Sequence, residues 1–477
     1  MFDTQYIVNV AKATEPTIFT DEQLEIIADL IKYQDYYDNN VFKYITTQNP
    51  EYQRRTSGKS YLPTHVPLNY TRLIINKLAG WQFEESIDFN CTSKSAQNRA
   101  EEIEDDLYEI HKDNKMDEKL IQAAIECNIS GGVAFKLKYD EQKGYPRILP
   151  RNRIECFPVY EFDDYENIHR VHFIAFEDEH TIWKQTFDFT GGRCYVFEAK
   201  YDVREIGTPK VIIQDWQAIG KNNNLIDFLP VYIIANTPQL GEVWGHPEPK
   251  DLIPIINEIN RKYSDLSDSL RFDMFAITVM MNMNFDPNNP PKTKAGAVWD
   301  LAGGSPTGTQ KADVFKLESQ FSYIESLKYH IDSLKAALFE FSETVNLSVD
   351  KVSGMGSLSG VALKLLFSAI ISKTNKKNTI WSARLRDIYF GTLKLKQVYE
   401  GYKIPDDLDV EVIIHNPIPQ NEREEIEVAT AKLAAGLSSV SSEMNKLGIE
   451  DPEAEIAKII EEKNTFDKAF ADKREAE

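Results

Sequence analysis

The chain has 477 residues, with 54 Lys and Arg against 75 Asp and Glu and a formal charge of −21 with neutral histidines. A single core stops growing beyond about 250–300 residues, so several packed units are expected, and 42% hydrophobic with 11% aromatic residues suits a folded chain. The acidic balance argues against wrapping DNA by phosphate neutralisation, which needs a surplus of Lys and Arg along the contact.

The opening MFDTQYIVNV carries acid early and lacks a basic region followed by an apolar run of signal length. No stretch approaches about 18 apolar residues, so no membrane role is expected. In DEQLEIIADLIKYQDYYDN, Leu24, Ile27, Leu30 and Ile31 recur at helical spacing after a Thr20/Asp21 start signal. The polar stretch TTQNPEYQRRTSGKS precedes a second helix around NYTRLIINKLAG, and residues 99 to 130 predict a helix pair broken near Lys112 to Lys115. From Gly131 the period changes. The runs VAFKLKYD, RIECFPVY, IHRVHFIAFED, HTIWKQTFDF, RCYVFEAKYD, KVIIQDWQ and PVYIIAN, punctuated by Lys143-Gly144, Gly191-Gly192 and Asn222 to Asn224, predict an antiparallel meander.

After GEVWGHPEPK, Leu252, Ile256, Ile259, Tyr263, Leu266 and Leu270 alternate by four and three. Phe321, Ile324, Leu327, Ile331, Leu334, Leu338 and Phe341 repeat the pattern. A seam of about 3.5 residues on both implies two helices, each about 33–37 Å long, packed on one another at a shallow angle. Between them AITVMMNM, DPNNPPKTK and AVWDLAGGSPTGTQKADVFKL predict a small β-rich tip at the far end of this stalk. Gly354, Gly356, Gly360 and the neighbouring serines make a flexible loop. A long helix from Val361 to about Tyr402 follows, then a strand in DVEVIIHNP ended by Pro417 and Pro419. From Glu422 the chain is helical, with a break at Gly436 to Ser442 and a last helix opening at Asp451-Pro452.

Signatures of chemistry are weak. Cys91, Cys127, Cys156 and Cys194 form no CxxC pair and suit a reducing compartment. Ser57-Gly58-Lys59-Ser60 ends like a phosphate loop, but Gln53 stands where the motif needs its first Gly, and two prolines follow in YLPTHVP. The Gly354–Gly360 loop is GxGxxxG and follows a helix, unlike a dinucleotide loop. His169 and His172 on a strand point to opposite faces, and no HExxH or calcium loop is present, so neither metal nor cofactor is expected. Ser353, Ser357 and Ser359 have no nearby His and no GxSxG elbow, which makes an enzyme the weaker expectation.

The order of elements resembles a tailed-bacteriophage portal protein of the SPP1-like group. The resemblance rests on NYTRLIINKLAGWQFE, on the Ser-Gly-Gly-Val-Ala-Phe turn at 130–135, on LPVYIIANTPQLGEVWGHPEPKDLIPIINEINRKYSDLSDSLRFDM, and on SLSGVALKLLFSAI. In the last, Ser359-Gly360 with Ala362, Leu363 and Lys364 opens the long helix. It covers about residues 20 to 465, least closely at the tip and tail. It implies an α+β portal fold: a wing over 1–248, stem helices over 249–272 and 321–345, a clip over 273–320, a tunnel loop over 346–360, a long helix with return strand over 361–420, and a helical crown with an acidic tail over 421–477. It further implies a ring of about twelve copies at the unique capsid vertex of the virion, assembled in the host cytoplasm, through which double-stranded DNA is packaged and ejected. The terminase large subunit and then a head-tail adaptor would dock on the clip, where Trp299, Lys292 and Lys294 are the candidate contacts, and major capsid and scaffolding proteins would surround the ring. Ser348, Lys351, Ser353, Met355, Ser357 and Lys364 are the candidate residues beside DNA in the tunnel loop and helix start. Other readings are a different ring or scaffold protein, or an acidic hydrolase. Twelve times −21 gives about −252, a self-repulsion that should make assembly sensitive to salt.

Overall fold

The computed structural model describes residues 19–52, 62–161, 163–178, 180–202, 210–211, 216–221, 224–274, 277–281, 313–317, 323–346, 360–415, 417, 422–446, 452, 455–460 and 462–463. Helix α1 (Asp21–Tyr37) begins where side chains serve its free N–H groups. Thr20 Oγ1 accepts from the Gln23 N–H at 3.2 Å, and Gln23 Oε1 accepts from the Thr20 N–H at 3.0 Å. Helices α2 (Phe42–Gln48) and α3 (Tyr70–Phe83), strand β1 (Asp88–Thr92), and helices α4 (Gln97–Asp113) and α5 (Met116–Ser130) follow. The turn between α4 and α5 falls at Lys115, which takes a left-handed φ of 53°.

Strands β2 (Gly132–Asp140), β3 (Tyr145–Asn152), β4 (Cys156–Tyr160), β5 (Ile168–Phe176), β6 (Thr181–Thr190) and β7 (Arg193–Asp202) come next. Four short strands, β8 (Lys210–Val211), β9 (Trp216–Ala218), β10 (Gly220–Lys221) and β11 (Asn224–Leu225), lead to β12 (Val231–Ala235). They do not make the one meander expected. One sheet has the order β12-β2-β3, a second runs β4-β5-β6-β7-β8 with β9 also on β7, and among the described residues β10 pairs only with β11. All pairings are antiparallel. Pro146 and Pro150 hide β3 from a propensity reading, yet they are tolerated because β3 is an edge strand. Within RIECFPVY, residues Arg153–Glu155 form a 3-10 turn, and only Cys156–Tyr160 is strand.

Helix α6 (Pro249–Met274) then leads to β13 (Ile277–Met281), which pairs antiparallel with β14 (Asp313–Leu317) ahead of helix α7 (Ile324–Phe341). The long helix expected from Val361 is two: α8 (Gly360–Leu366) and α9 (Ser368–Glu400). They divide at Phe367, which is buried against Trp81 with ring centroids 5.1 Å apart. Strand β15 (Asp409–Ile413) returns to pair antiparallel with β1, and helices α10 (Glu422–Ala434) and α11 (Val440–Lys446) follow.

The main core gathers around α9. Its Trp381 lies edge-on to Phe83 of α3 at 5.0 Å and to Phe135 of β2 at 6.2 Å, while Leu385, Ile388, Tyr389 and Leu393 are buried beside it. Burying each such side chain stabilises by roughly 1.5–3 kcal/mol. Cys91, Cys127, Cys156 and Cys194 are buried free thiols.

The exit from the sheet toward α6 is a tight backbone crossing. Gly131, at φ 84°, ends α5, and its carbonyl accepts from the N–H groups of Asn236 (3.0 Å) and Gly245 (2.8 Å). A Cβ on Gly245 would overlap the backbone of Asn236, which has no side-chain freedom with which to yield. Gly245→Ala should therefore destabilise by about 3 kcal/mol or more, read as a lower urea midpoint. An unchanged midpoint would show that the crossing can open.

Candidate functional site: the helix pair and its anchorage

Helices α6 and α7 share a core with the first helices of the chain. Leu252, Ile256, Ile259 and Leu338 are buried with Tyr36, Val41, Ile45, Ile74 and Leu78, and Tyr263 and Leu334 pack against them. Ile331 is buried, whereas Leu266, Ile324 and Leu327 are half-buried. The expected seam ends short at both helices within the single chain: Leu270 is exposed and Phe341 is 70% exposed. At about 100° per residue, Phe341 lies about 80° round the helix from Ile331, while Phe339 lies about as far to the other side and is the one covered. A heptad reading places Phe341 too near the seam, and Phe339 too far from it, because a straight helix drifts about 20° per heptad.

Beside this apolar row α6 carries a polar row, and the irregular segment 62–69 runs along it. The N–H of Leu68 donates to Asn260 Oδ1 at 2.6 Å, that of Val66 to Ser264 Oγ at 3.1 Å, and that of Thr64 to both oxygens of Asp268 at 3.1 Å. The spacing explains the register. Two residues of near-extended chain advance about 6.6 Å, and four residues of helix rise about 6.0 Å, so alternate N–H groups meet successive turns. Pro63 and Pro67 keep this segment from becoming helix. Tyr36 donates to Asn257 Oδ1 at 2.8 Å and Tyr52 to Asp265 Oδ1 at 2.8 Å. Burial and the Asp265 carboxylate push the Tyr52 phenol up, keeping it a donor.

The body-side ends of both helices meet a buried ion cluster. Glu248, which immediately precedes α6, accepts from Lys377 at Oε1 and from Lys373 at Oε2, each at 2.7 Å. Its backbone N–H donates to the Asn128 carbonyl at 2.9 Å, and the Asn236 amide donates to Oε1 at 3.2 Å. Lys377, 2% exposed, also donates to Asn128 Oδ1 at 2.6 Å, and Lys373 donates to the Ser342 carbonyl, the C-cap of α7, at 3.0 Å. Burial opposes the Glu248 charge, but Lys377 and Lys373 outweigh it and hold the carboxyl down to about 2. Beyond Ser342, α7 ends in a Schellman turn. Glu343 takes a φ of 56°, its N–H donates to Glu340 O at 3.0 Å, and the Thr344 N–H donates to Phe339 O at 3.0 Å. Lys77 donates to the Val345 carbonyl at 3.0 Å.

The sequence model described as "Phage portal protein, SPP1 Gp6-like" matches residues 18–469. The chain belongs to this portal protein family. Among solved structures similar to this portal protein is a chain of "Virion of native gene transfer agent (GTA) particle", at 13% identity, TM-score 0.49, covering 88% of this chain and 93% of that one. Two others are "Neck of native GTA particle computed with C12 symmetry" (13%, TM-score 0.42, 79% and 88%) and "Neck of empty GTA particle computed with C6 symmetry" (13%, TM-score 0.46, 83% and 97%). A comparison with curated proteins finds no match.

In this portal protein Lys364 lies exposed on α8. The expected loop residues Ser348, Lys351, Ser353, Met355 and Ser357, the tip residues Lys292, Lys294 and Trp299, and the Ser57–Ser60 motif lie outside the described residues. His172 bonds Thr186 Oγ1 at 2.8 Å, and among the described residues no group of three metal-ligating side chains occurs. Nor is any described helix long and apolar enough to cross a membrane. Sequence reading missed the anchoring groups. Asn257, Asn260, Ser264 and Asp268 recur at helical spacing beside the apolar seam, and Lys373 and Lys377 stand four apart on one face of α9; both patterns were readable signals.

Two outcomes are expected for the portal anchors. Asn260→Ala leaves the Leu68 N–H unpaired and should cost about 1–3 kcal/mol in denaturant unfolding, whereas Leu270→Ala, at an exposed site, should change little in the isolated chain. Glu248→Gln strands two buried lysines and should cost about 3–5 kcal/mol at neutral pH. Because the Glu248 pKa is depressed, its contribution is full above about pH 4.5 and lost as pH falls toward about 2. The gap between wild type and Glu248→Gln should close in that acid window; a gap constant down to pH 2 would rule out the charge as its source.

Proposed function

We propose that copies of this portal protein close into a ring of about twelve at one capsid vertex of a virion, assembled in the host cytoplasm, and that the ring passes double-stranded DNA during packaging and ejection. The observation that carries this reading is the set of large apolar side chains left open on the helix pair. The segment 62–69 and the first helices pack against the pair, while Tyr329 at 78% exposure, Phe341 and Leu270 stand open. Aromatic side chains open on a rigid helix are suited to contact the next copy, and a heterologous contact repeated by rotation closes a ring. In this reading residues 1–248 form the wing, 249–272 and 321–345 the stem, 273–320 the clip, 346–360 the tunnel loop, 361–420 the long helix with its return strand, and 421–477 the crown.

The chemistry proposed is non-catalytic. DNA carries about one phosphate charge per 1.7 Å, so a chain of −21 repels it over most of its surface, and cations such as Lys351 and Lys364 supply light contacts. The clip, with Trp299, Lys292 and Lys294, would dock the terminase large subunit and later the head-tail adaptor, within major capsid and scaffolding proteins. Negative-stain imaging of the purified chain should show rings with a central hole, more abundant as salt rises from about 0.05 M to about 0.5 M because screening relieves repulsion. Deleting residues 286–312 should leave rings and abolish packaging. Compact monomers at every salt concentration, or normal packaging by the deletion, would refute the corresponding assignment.

A further inference from the structure

Lys373 and Lys377 share one carboxylate but reach different third partners. Lys377 completes its contacts with Asn128 at the end of α5, inside the body of the fold. Lys373 reaches the carbonyl of Ser342, the residue that ends α7 and opens the Schellman turn. A helix leaves its last four carbonyls without intrahelical partners, and a cation at that end also meets the negative pole of the helix dipole. The Ser342 carbonyl is therefore held by a charged donor whose other bond is to the residue that starts α6. Three residues separate Ser342 from the tunnel loop proposed to begin at 346.

We propose that Lys373 is a positioning residue that fixes where the segment after α7 leaves the body, by bonding the end of α7 to the start of α6 through Glu248. Lys377 has the separate task of joining the start of α6 to α5. The link from this positioning to DNA rests on the tunnel-loop reading above; the positioning itself does not. The division of labour follows from the third contacts. Removing Lys373 frees the Ser342 carbonyl and leaves Glu248 still bonded to Lys377 and Asn128. Removing Lys377 leaves the Ser342 carbonyl held and loosens α6 from α5.

Backbone amide exchange on the full chain separates the two. The N–H groups of Ser342, Glu343 and Thr344 donate to Leu338, Glu340 and Phe339 and report the turn directly, while those within 256–264 report α6. Lys373→Met should raise exchange at 342–344 by about tenfold or more with less than about threefold change at 256–264, and Lys373→Arg should restore slow exchange. Lys377→Met should give the opposite pattern, with a lower melting temperature. If Lys373→Met fails to fold, Lys373→Gln, which keeps a neutral donor, is expected to show the same local increase in smaller measure. A uniform rise over both regions in the Lys373 variants, or no rise at 342–344, overturns the proposal. Packaging in the same variants is read separately: a local rise with unchanged packaging leaves the positioning intact and counts against the loop as a DNA contact.

Discussion

Two lysines and one glutamate, all nearly removed from water, hold together helices that the sequence places up to about 250 residues apart. Moving charges out of water is expensive, and the cluster carries one more cation than anion. The fold offsets this with helix ends. Glu248 stands at the positive start of α6 and Lys373 at the negative end of α7, each pole worth about half a charge. The cluster fixes more than it stabilises. A hydrophobic patch would tolerate sliding, whereas three charged groups with directed hydrogen bonds admit one arrangement of α5, α6, α7 and α9.

The polar row on α6 extends that constraint outward. An apolar seam alone allows a helix to rotate by several degrees at little cost. Alternate N–H groups of 64–68 paired with successive turns of α6 remove that freedom, because a one-residue slip would point every donor away from its acceptor. Phe341 and Tyr329 of α7 are left open. In the proposed ring, rigidity and open aromatic surface are complementary: a neighbour can pack tightly only against a helix that already holds still.

What could be read in the sequence follows the range of the forces involved. The apolar rows of α1, α6 and α7 are local, so their period showed in the residues themselves. Leu338 and Ile259 are buried within the chain, whereas Phe341 is open, because a heptad approximates a helix over one turn better than over three. β3 was masked by Pro146 and Pro150, whose penalty vanishes only at a sheet edge that local pattern cannot locate. β1 offered just two apolar positions, Phe89 and Cys91, and its partner β15 lies more than 300 residues on. The lysines of α9 sit in SKTNKKNT, where their spacing puts them on one face but does not name Glu248 as the partner they share. Portal membership itself was legible because it rests on the order of many short patterns rather than on any one of them.

The pairing of β1 with β15 has a consequence for how the protein comes into being. The body takes its first strands and helices from before residue 249 and its central helix, α9, with the closing strand from after residue 367, so α6 and α7 are an excursion from an unfinished core. On the ribosome, at about 5–20 residues per second, the roughly 165 residues from 248 to 413 take on the order of ten to thirty seconds, during which Phe83, Phe135 and the inner face of β2 wait without Trp381. The nascent chain therefore leaves this part of its core uncovered through about a third of its synthesis. In the proposed ring, the helices that meet a neighbour are made before the core that holds them still is complete.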